Sequence, residues 1–268
     1  MESHKIRLNE ATDDFNEVQF TIVYDCASLV PDLQTGWGFA CVVKVGEISL
    51  LFDTGGDGEI LLQNMNRLKI DPTSIQIVLI SHNRFGTVGG LSDFLLQNPN
   101  VSVYVPESFP NRIVETILKH QAQVYRVYSF EELQPNIFTL GEFVGFFREQ
   151  AMAIKTSAGI VVVTGCTHQS IISILKKARN IFAEDPICLA MGGFNFGGLS
   201  VSEKINIIKS FKKLKVHKVA VCYYTDNETH ILFEEAYREN YIKLGVGGVI
   251  TINSTCKEKI QNFRQILK

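Results

Sequence analysis

The segment Ile160-Val161-Val162-Val163-Thr164 constrains the fold more than any other stretch of the chain. Its residues are all β-branched, and their stiff χ1 angles suit a pleated strand. A run without polar alternation belongs to a strand buried on both faces, so other layers must cover it on each side.

Strand and helix patterns alternate around it. In the first half, residues 19–24, 39–45 and 48–52 read as strands, the last two joined by a turn at Val45-Gly46-Glu47. Residues 60–68 carry apolar side chains at 60, 61, 62, 65 and 68, the spacing of one helix face. A strand over 77–80, a helix over 91–97, a strand over 101–105 and a helix over 111–119 follow. In the second half, 143–147, 152–155, 160–164, 187–191, 218–223 and 248–252 read as strands. Residues 170–180, 202–214 and 228–239 read as helices. Two successive halves of this kind predict an α/β sandwich with sheets inside and helices outside. With no repeat or linker between them, residues 1–268 are read as one domain.

Charge and cysteine usage narrow the function classes. Lys and Arg number 26 against 28 Asp and Glu, so no strong positive field favours a nucleic acid. No stretch of about 18 apolar residues occurs, so no membrane partner is expected. The N-terminus lacks a basic stretch followed by an apolar one. Cys26, Cys41, Cys166, Cys188, Cys222 and Cys256 form no C-x-x-C pair. Reduced, buried thiols in a cytoplasmic protein are the expectation. Phosphate-loop, dinucleotide and serine-hydrolase signatures are absent.

The informative turn follows the 77–80 strand and reads Ser81-His82-Asn83-Arg84-Phe85-Gly86-Thr87-Val88-Gly89-Gly90. Phe52-Asp53-Thr54-Gly55 stands upstream, with Asp53 29 positions before His82. Further on come Thr164-Gly165-Cys166-Thr167-His168, Met191-Gly192-Gly193-Phe194-Asn195, Tyr223-Tyr224-Thr225-Asp226 and Val246-Gly247-Gly248-Val249-Ile250. Together these resemble the metallo-β-lactamase superfamily, in the branch of dihydropterin ribofuranosyl-aminobenzene phosphate synthases. The resemblance implies a four-layer αβ/βα sandwich. It also implies a metal site of histidines and a carboxylate, in which Asp53 orients the His82 loop.

The departures carry the functional expectation. His82 keeps the first histidine of the family motif, and His168 keeps another. Arg84 stands at the second histidine, Gly86 at the aspartate and Thr87 at the third histidine. Asn195 and Tyr223 replace two more. Two imidazoles hold a divalent ion less well than the three or four ligands of established zinc sites, and a guanidinium beside them repels a cation but matches an anion. The expected pocket is His82, Arg84, His168, Asn195, Tyr223 and Asp53, with no catalytic residue assigned. His82 and His168 are the remnant metal ligands. No cofactor is expected, and zinc or another divalent metal is the alternative. The function expected is that of a degenerate member without the two-metal hydrolytic site, binding a small anionic ligand. The alternative is a metal-dependent hydrolase or pterin-related synthase with a reduced or rearranged metal site. Cys166 reads as a small packed thiol. His4, His120, His217 and His230 have no motif around them. Oligomeric state is left open.

Overall fold

The central strands of each sheet are buried on both sides, and the two sides bury against different things. The computed structural model describes residues 17–145, 147–167, 171–222, 225–253 and 259–262, the last four as backbone. Its first half forms β1 (Glu17–Tyr24), β2 (Ala40–Val45), β3 (Ile48–Phe52), β4 (Ile77–Leu79), β5 (Ser102–Pro106) and β6 (Gln123–Val127). Between them lie α1 (Gly58–Arg67), α2 (Phe85–Val88), α3 (Leu91–Gln97) and α4 (Asn111–Lys119). The second half forms β7 (Glu131–Gln134), β8 (Ile137–Val144), β9 (Arg148–Thr156), β10 (Gly159–Thr167), β11 (Ile187–Phe194), β12 (Val216–Cys222) and β13 (Tyr241–Lys243). Its helices are α5 (Ile171–Ile181), α6 (Val201–Lys213) and α7 (Asn227–Tyr237). Finally β14 (Gly248–Asn253) and β15 (Lys259–Asn262) cross back to the first sheet, whose order is β15-β14-β1-β2-β3-β4-β5-β6. The second sheet runs β13-β12-β11-β10-β9-β8-β7.

Alternation along each strand sorts the side chains into layers. Cys41, Val43, Leu50 and Phe52 point between the sheets, where they meet Met152, Ile154, Val161 and Val163. Their neighbours Val42 and Leu51 pack with Leu61, Met65, Phe94 and Ile117 of the helices on the first sheet. Val162 and Ala190 pack with Ile174, Leu175, Phe211 and Phe233 of the helices on the second. The result is the expected four-layer αβ/βα sandwich, and strand β10 is buried at every position.

Most predicted elements are present, with ends shifted by a few residues. The strand expected over 143–147 is a correction. Val144 pairs with Arg148, so β8 ends at Val144 and β9 begins at Arg148. Phe143 lies inside β8, and Phe147 lies between β8 and β9. Strands β6 and β7 carry polar or exposed residues along one face and present no strong apolar run, while in β8 the apolar sequence of the buried stretch is interrupted by Thr139 and Gly141. Helix α2 is a single turn, too short for helical periodicity to register.

Two local devices fix the second half. Ser200 and Glu203 form a reciprocal capping box at the start of α6. Nearly buried Lys204 on α6 places its Nζ 2.8 Å from both Asp226 Oδ1 and Glu228 Oε2, and Asp226 caps α7 by accepting from the Thr229 amide. Phe233 of α7 has no exposed surface and packs its ring against Phe194, Phe196, Phe211 and Tyr237. Phe233→Ala should therefore cost about 3–5 kcal/mol in urea unfolding. A loss below about 1 kcal/mol would mean that this layer can collapse around the cavity.

Candidate functional site

The parallel strands β3 and β4 of one sheet and β10 and β11 of the other end at a common edge, where α/β sheets usually place ligands. Asp53 follows β3 with φ of 56° and is completely buried. Its Oδ1 accepts from the Ser81 amide at 2.7 Å, and its Oδ2 accepts from the Ser81 hydroxyl at 2.7 Å. Ser81 Oγ also lies 2.8 Å from His82 Nδ1. Ser81 Oγ therefore bridges the Asp53 carboxyl and the His82 ring. These bonds tie Asp53 to the residue immediately before His82.

The second sheet presses directly on this turn. Gln150 of β9 donates its amide to the Ser81 carbonyl at 2.7 Å, and its side chain reaches the Ile80 carbonyl at 2.9 Å. A Cβ on Gly165 would lie 2.1 Å from Ser81 Oγ and 2.6 Å from Asp53 Oδ2, so only glycine lets β10 come this close. Next to it, Cys166 hydrogen-bonds with the Asn195 side chain and feels Asp53 and Arg84 electrostatically. Burial, then the charge of Glu149, pushes its thiol up to about 12, so it is protonated near neutrality, as a packed thiol should be.

The expected pocket residues are placed as follows. Asp53, His82, Arg84 and Asn195 gather around Ser81 and Cys166. His168 and Tyr223 lie outside the described residues. Arg84 is exposed, opens helix α2, and holds its guanidinium carbon 3.6 Å from the centroid of the Phe147 ring. No salt bridge reaches Arg84 among the described residues. Gly86 and Thr87 act in the scaffold. The Gly86 carbonyl accepts from the Phe39 amide, and a Cβ on Gly38 would meet that carbonyl at 2.5 Å. Thr87 Oγ1 donates to the His82 carbonyl at 2.6 Å, while its own carbonyl accepts from Thr54. Asn195 is half-buried; its amide donates to the Thr167 carbonyl, and its Oδ1 accepts from the Gly197 amide at 2.9 Å.

Two buried residues of β9 escaped the sequence reading, Gln150 and Glu149. Glu149 is 4 % exposed and accepts from Thr167 Oγ1 at 3.2 Å. The strand was expected to begin at Met152, and no motif surrounds either residue. Cysteine burial also needs one correction. Cys41, Cys166, Cys188 and Cys222 are buried, but Cys26 is exposed because it lies in the loop after β1. Cys256 lies outside the described residues.

The described donors do not suit a divalent metal. No three His, Cys, Asp or Glu side chains converge among the described residues. Both Asp53 oxygens accept from Ser81, and the Cys166 thiol keeps its proton.

This arrangement of sheets and loops is the metallo-β-lactamase fold. The chain matches a crystal structure described as a metal-dependent hydrolase of the beta-lactamase superfamily with a TM-score of 0.73 and 24 % identity, over 87 % of this chain and 98 % of that one. It matches the metallo-beta-lactamase fold protein YhfI from Bacillus subtilis with a TM-score of 0.65 and 12 % identity, over 87 % and 98 % of the two chains. In sequence it is 27 % identical to 7,8-dihydropterin-6-methyl-4-(beta-D-ribofuranosyl)-aminobenzene-5'-phosphate synthase of Methanocaldococcus jannaschii, over 81 % of this chain and 90 % of that protein. No protein-family model matches the chain. No helix among the described residues is long and apolar enough to cross a membrane.

The buried Asp53 makes a pH prediction. Burial pushes its carboxyl up to about 8, against the pull of the two Ser81 donors and with a further push from Glu149. In the unfolded chain the group ionises near pH 4. The folded protein thus retains a proton across that window which the unfolded chain has released, and this contribution to stability declines as pH rises from about 4 to about 8. Asp53→Asn cannot ionise. Its urea midpoint should therefore improve relative to the parent between about pH 5 and pH 8. A difference that stays constant with pH would show that Asp53 ionises normally.

Proposed function

We propose that this metallo-β-lactamase-fold protein binds a small anionic ligand at Arg84 and does not carry out two-metal hydrolysis. The observation that carries the reading is the Arg84 guanidinium. It sits where the resemblance places a metal-binding histidine, stacks on Phe147, and meets no carboxylate within salt-bridge distance among the described residues. Asp53 and Asp226 are the carboxylates that could have neutralised it. They are engaged instead with Ser81 and Lys204. A planar guanidinium fixed on an aromatic face is organised for a phosphate, sulfate or carboxylate.

A second reading keeps a metal in a rearranged site. The synthase named for the Methanocaldococcus relative and the buried Glu149 at the site edge favour it. In that case the protein is a pterin-related synthase or hydrolase that uses Glu149 with His82.

Two measurements separate these readings. Calorimetric titration with sulfate, whose charge is constant across the range, should show binding that Arg84→Ala weakens at least about tenfold. Binding should also be tighter at about pH 6 than at about pH 9, because Asp53 is neutral only below about 8. Equal affinity in Arg84→Ala would reject the anion reading. Near-stoichiometric zinc, manganese or iron in protein purified without chelator, lost in Glu149→Gln, would establish the metal reading instead.

A further inference from the structure

We propose that strand β6 is a docking edge on which a second copy of this chain pairs antiparallel, giving a two-fold dimer with one continuous sheet. β6 ends the first sheet, and among the described residues no strand pairs with its far edge. Its register against β5 sets which groups are free. The Gln123 amide donates to the Val101 carbonyl, and the Val127 carbonyl accepts from the Glu107 amide. Residues 123, 125 and 127 therefore turn their main chain toward β5, and the alternate residues Val124 and Arg126 turn theirs outward. An outward row of N–H and C=O groups is a template for another strand. The proposal uses none of the residues of the candidate site.

Three observations name a second copy as the occupant. The first is that this edge is unguarded. The other strands that end the two sheets carry free-standing charge in their sequences: Glu131 and Glu132 on β7, Lys243 on β13 and Lys259 on β15. Such charges, and prolines, are what keep sheet edges from adding strands. β6 contains no Lys, Asp, Glu or Pro. Its one charge, Arg126, folds back onto the carbonyls of Glu107 and Phe109 and onto Asn111.

The second observation is self-complementarity. With the two-fold axis at Tyr125, Val124 of each copy faces the partner's Arg126, so every outward N–H and C=O of these residues finds a main-chain partner. Lys119 precedes the strand and Glu131 follows it, so antiparallel pairing turns opposite charges toward each other. The third is aromatic. Tyr125 stacks on Tyr104 of β5 with ring centroids 4.9 Å apart, yet keeps 44 % of its surface exposed. At the axis it meets the partner's Tyr125 as a non-hydrogen-bonded pair, the closer kind, and extends the stack across both copies. Tyr128 just past β6, and Leu118 on α4, which packs against β6, are further exposed apolar residues beside this edge and widen the area a partner can bury.

Sedimentation of the full chain tests this. It should run as a dimer of the 30.1 kDa chain at about 0.1 mM and dissociate on dilution, as a small interface does. Val124→Pro removes one outward N–H and no bond to β5, so it should give monomer while the melting temperature of dilute protein stays within about 2 °C of the parent. Tyr125→Lys sets like charges face to face and should weaken the dimer at least about tenfold. Tyr125→Cys places a thiol on the axis, where Cα atoms about 4.5 Å apart suit a disulfide. Oxidation with copper-phenanthroline should then give covalent dimer in excess of the parent, whereas Gln123→Cys, which faces the partner's Val127, should not. Should Val124→Pro fail to fold by circular dichroism, Tyr125→Lys and the two cysteine variants decide alone. A monomer at about 0.1 mM would overturn the proposal. So would a dimer untouched by Tyr125→Lys and by folded Val124→Pro, or equal cross-linking at positions 123 and 125.

Discussion

Ser81 is the junction on which the site depends. Its amide and hydroxyl hold the two oxygens of Asp53, its carbonyl accepts from Gln150 of the opposite sheet, and its hydroxyl meets His82. Each is a buried polar contact, so losing one leaves a partner unsatisfied in a dry interior. Gly165 completes the junction by lacking the atom that would strike it. The loops of the two sheets are thereby locked together at the edge where ligands bind in this architecture.

That lock explains how the scaffold keeps its shape whatever the site binds. Thr87 secures the far end of the His82 turn through its own hydroxyl and carbonyl, and Gly86 closes against Gly38. These contacts are made by backbone, serine, threonine and aspartate. Arg84 projects from this fixed turn and is steadied by Phe147. A guanidinium stacked on an aromatic ring has little side-chain freedom left to lose on binding.

The chemistry of the candidate site was partly legible. The Asp53, His82, Arg84 and Asn195 positions followed from short motifs at strand ends, where the chain turns and side chains become distinctive. Glu149 and Gln150 were not legible. Each sits inside a strand with no local motif, and each matters only because β9 packs beside β4 and β10. The open edge at β6 was equally hidden, because its five residues do not say which strand ends a sheet. His230, read as having no motif around it, is placed by its bond with Tyr241.

The sequence by itself determined the layers. The nearly continuous burial of β2 and the all-round burial of β10 are written in the order of apolar residues. Local chemistry also set the turn at Gly46 and the capping of α6, because these depend on residues only a few positions apart. Tertiary structure alone decided which strands are neighbours, that β14 crosses back to β1, and that β8 ends at Val144. It alone decided that Asp53 loses its water and holds its proton to about pH 8. The physical reason is range: periodicity and capping act within a few residues, whereas burial, desolvation and cross-sheet hydrogen bonds depend on groups that only folding brings together.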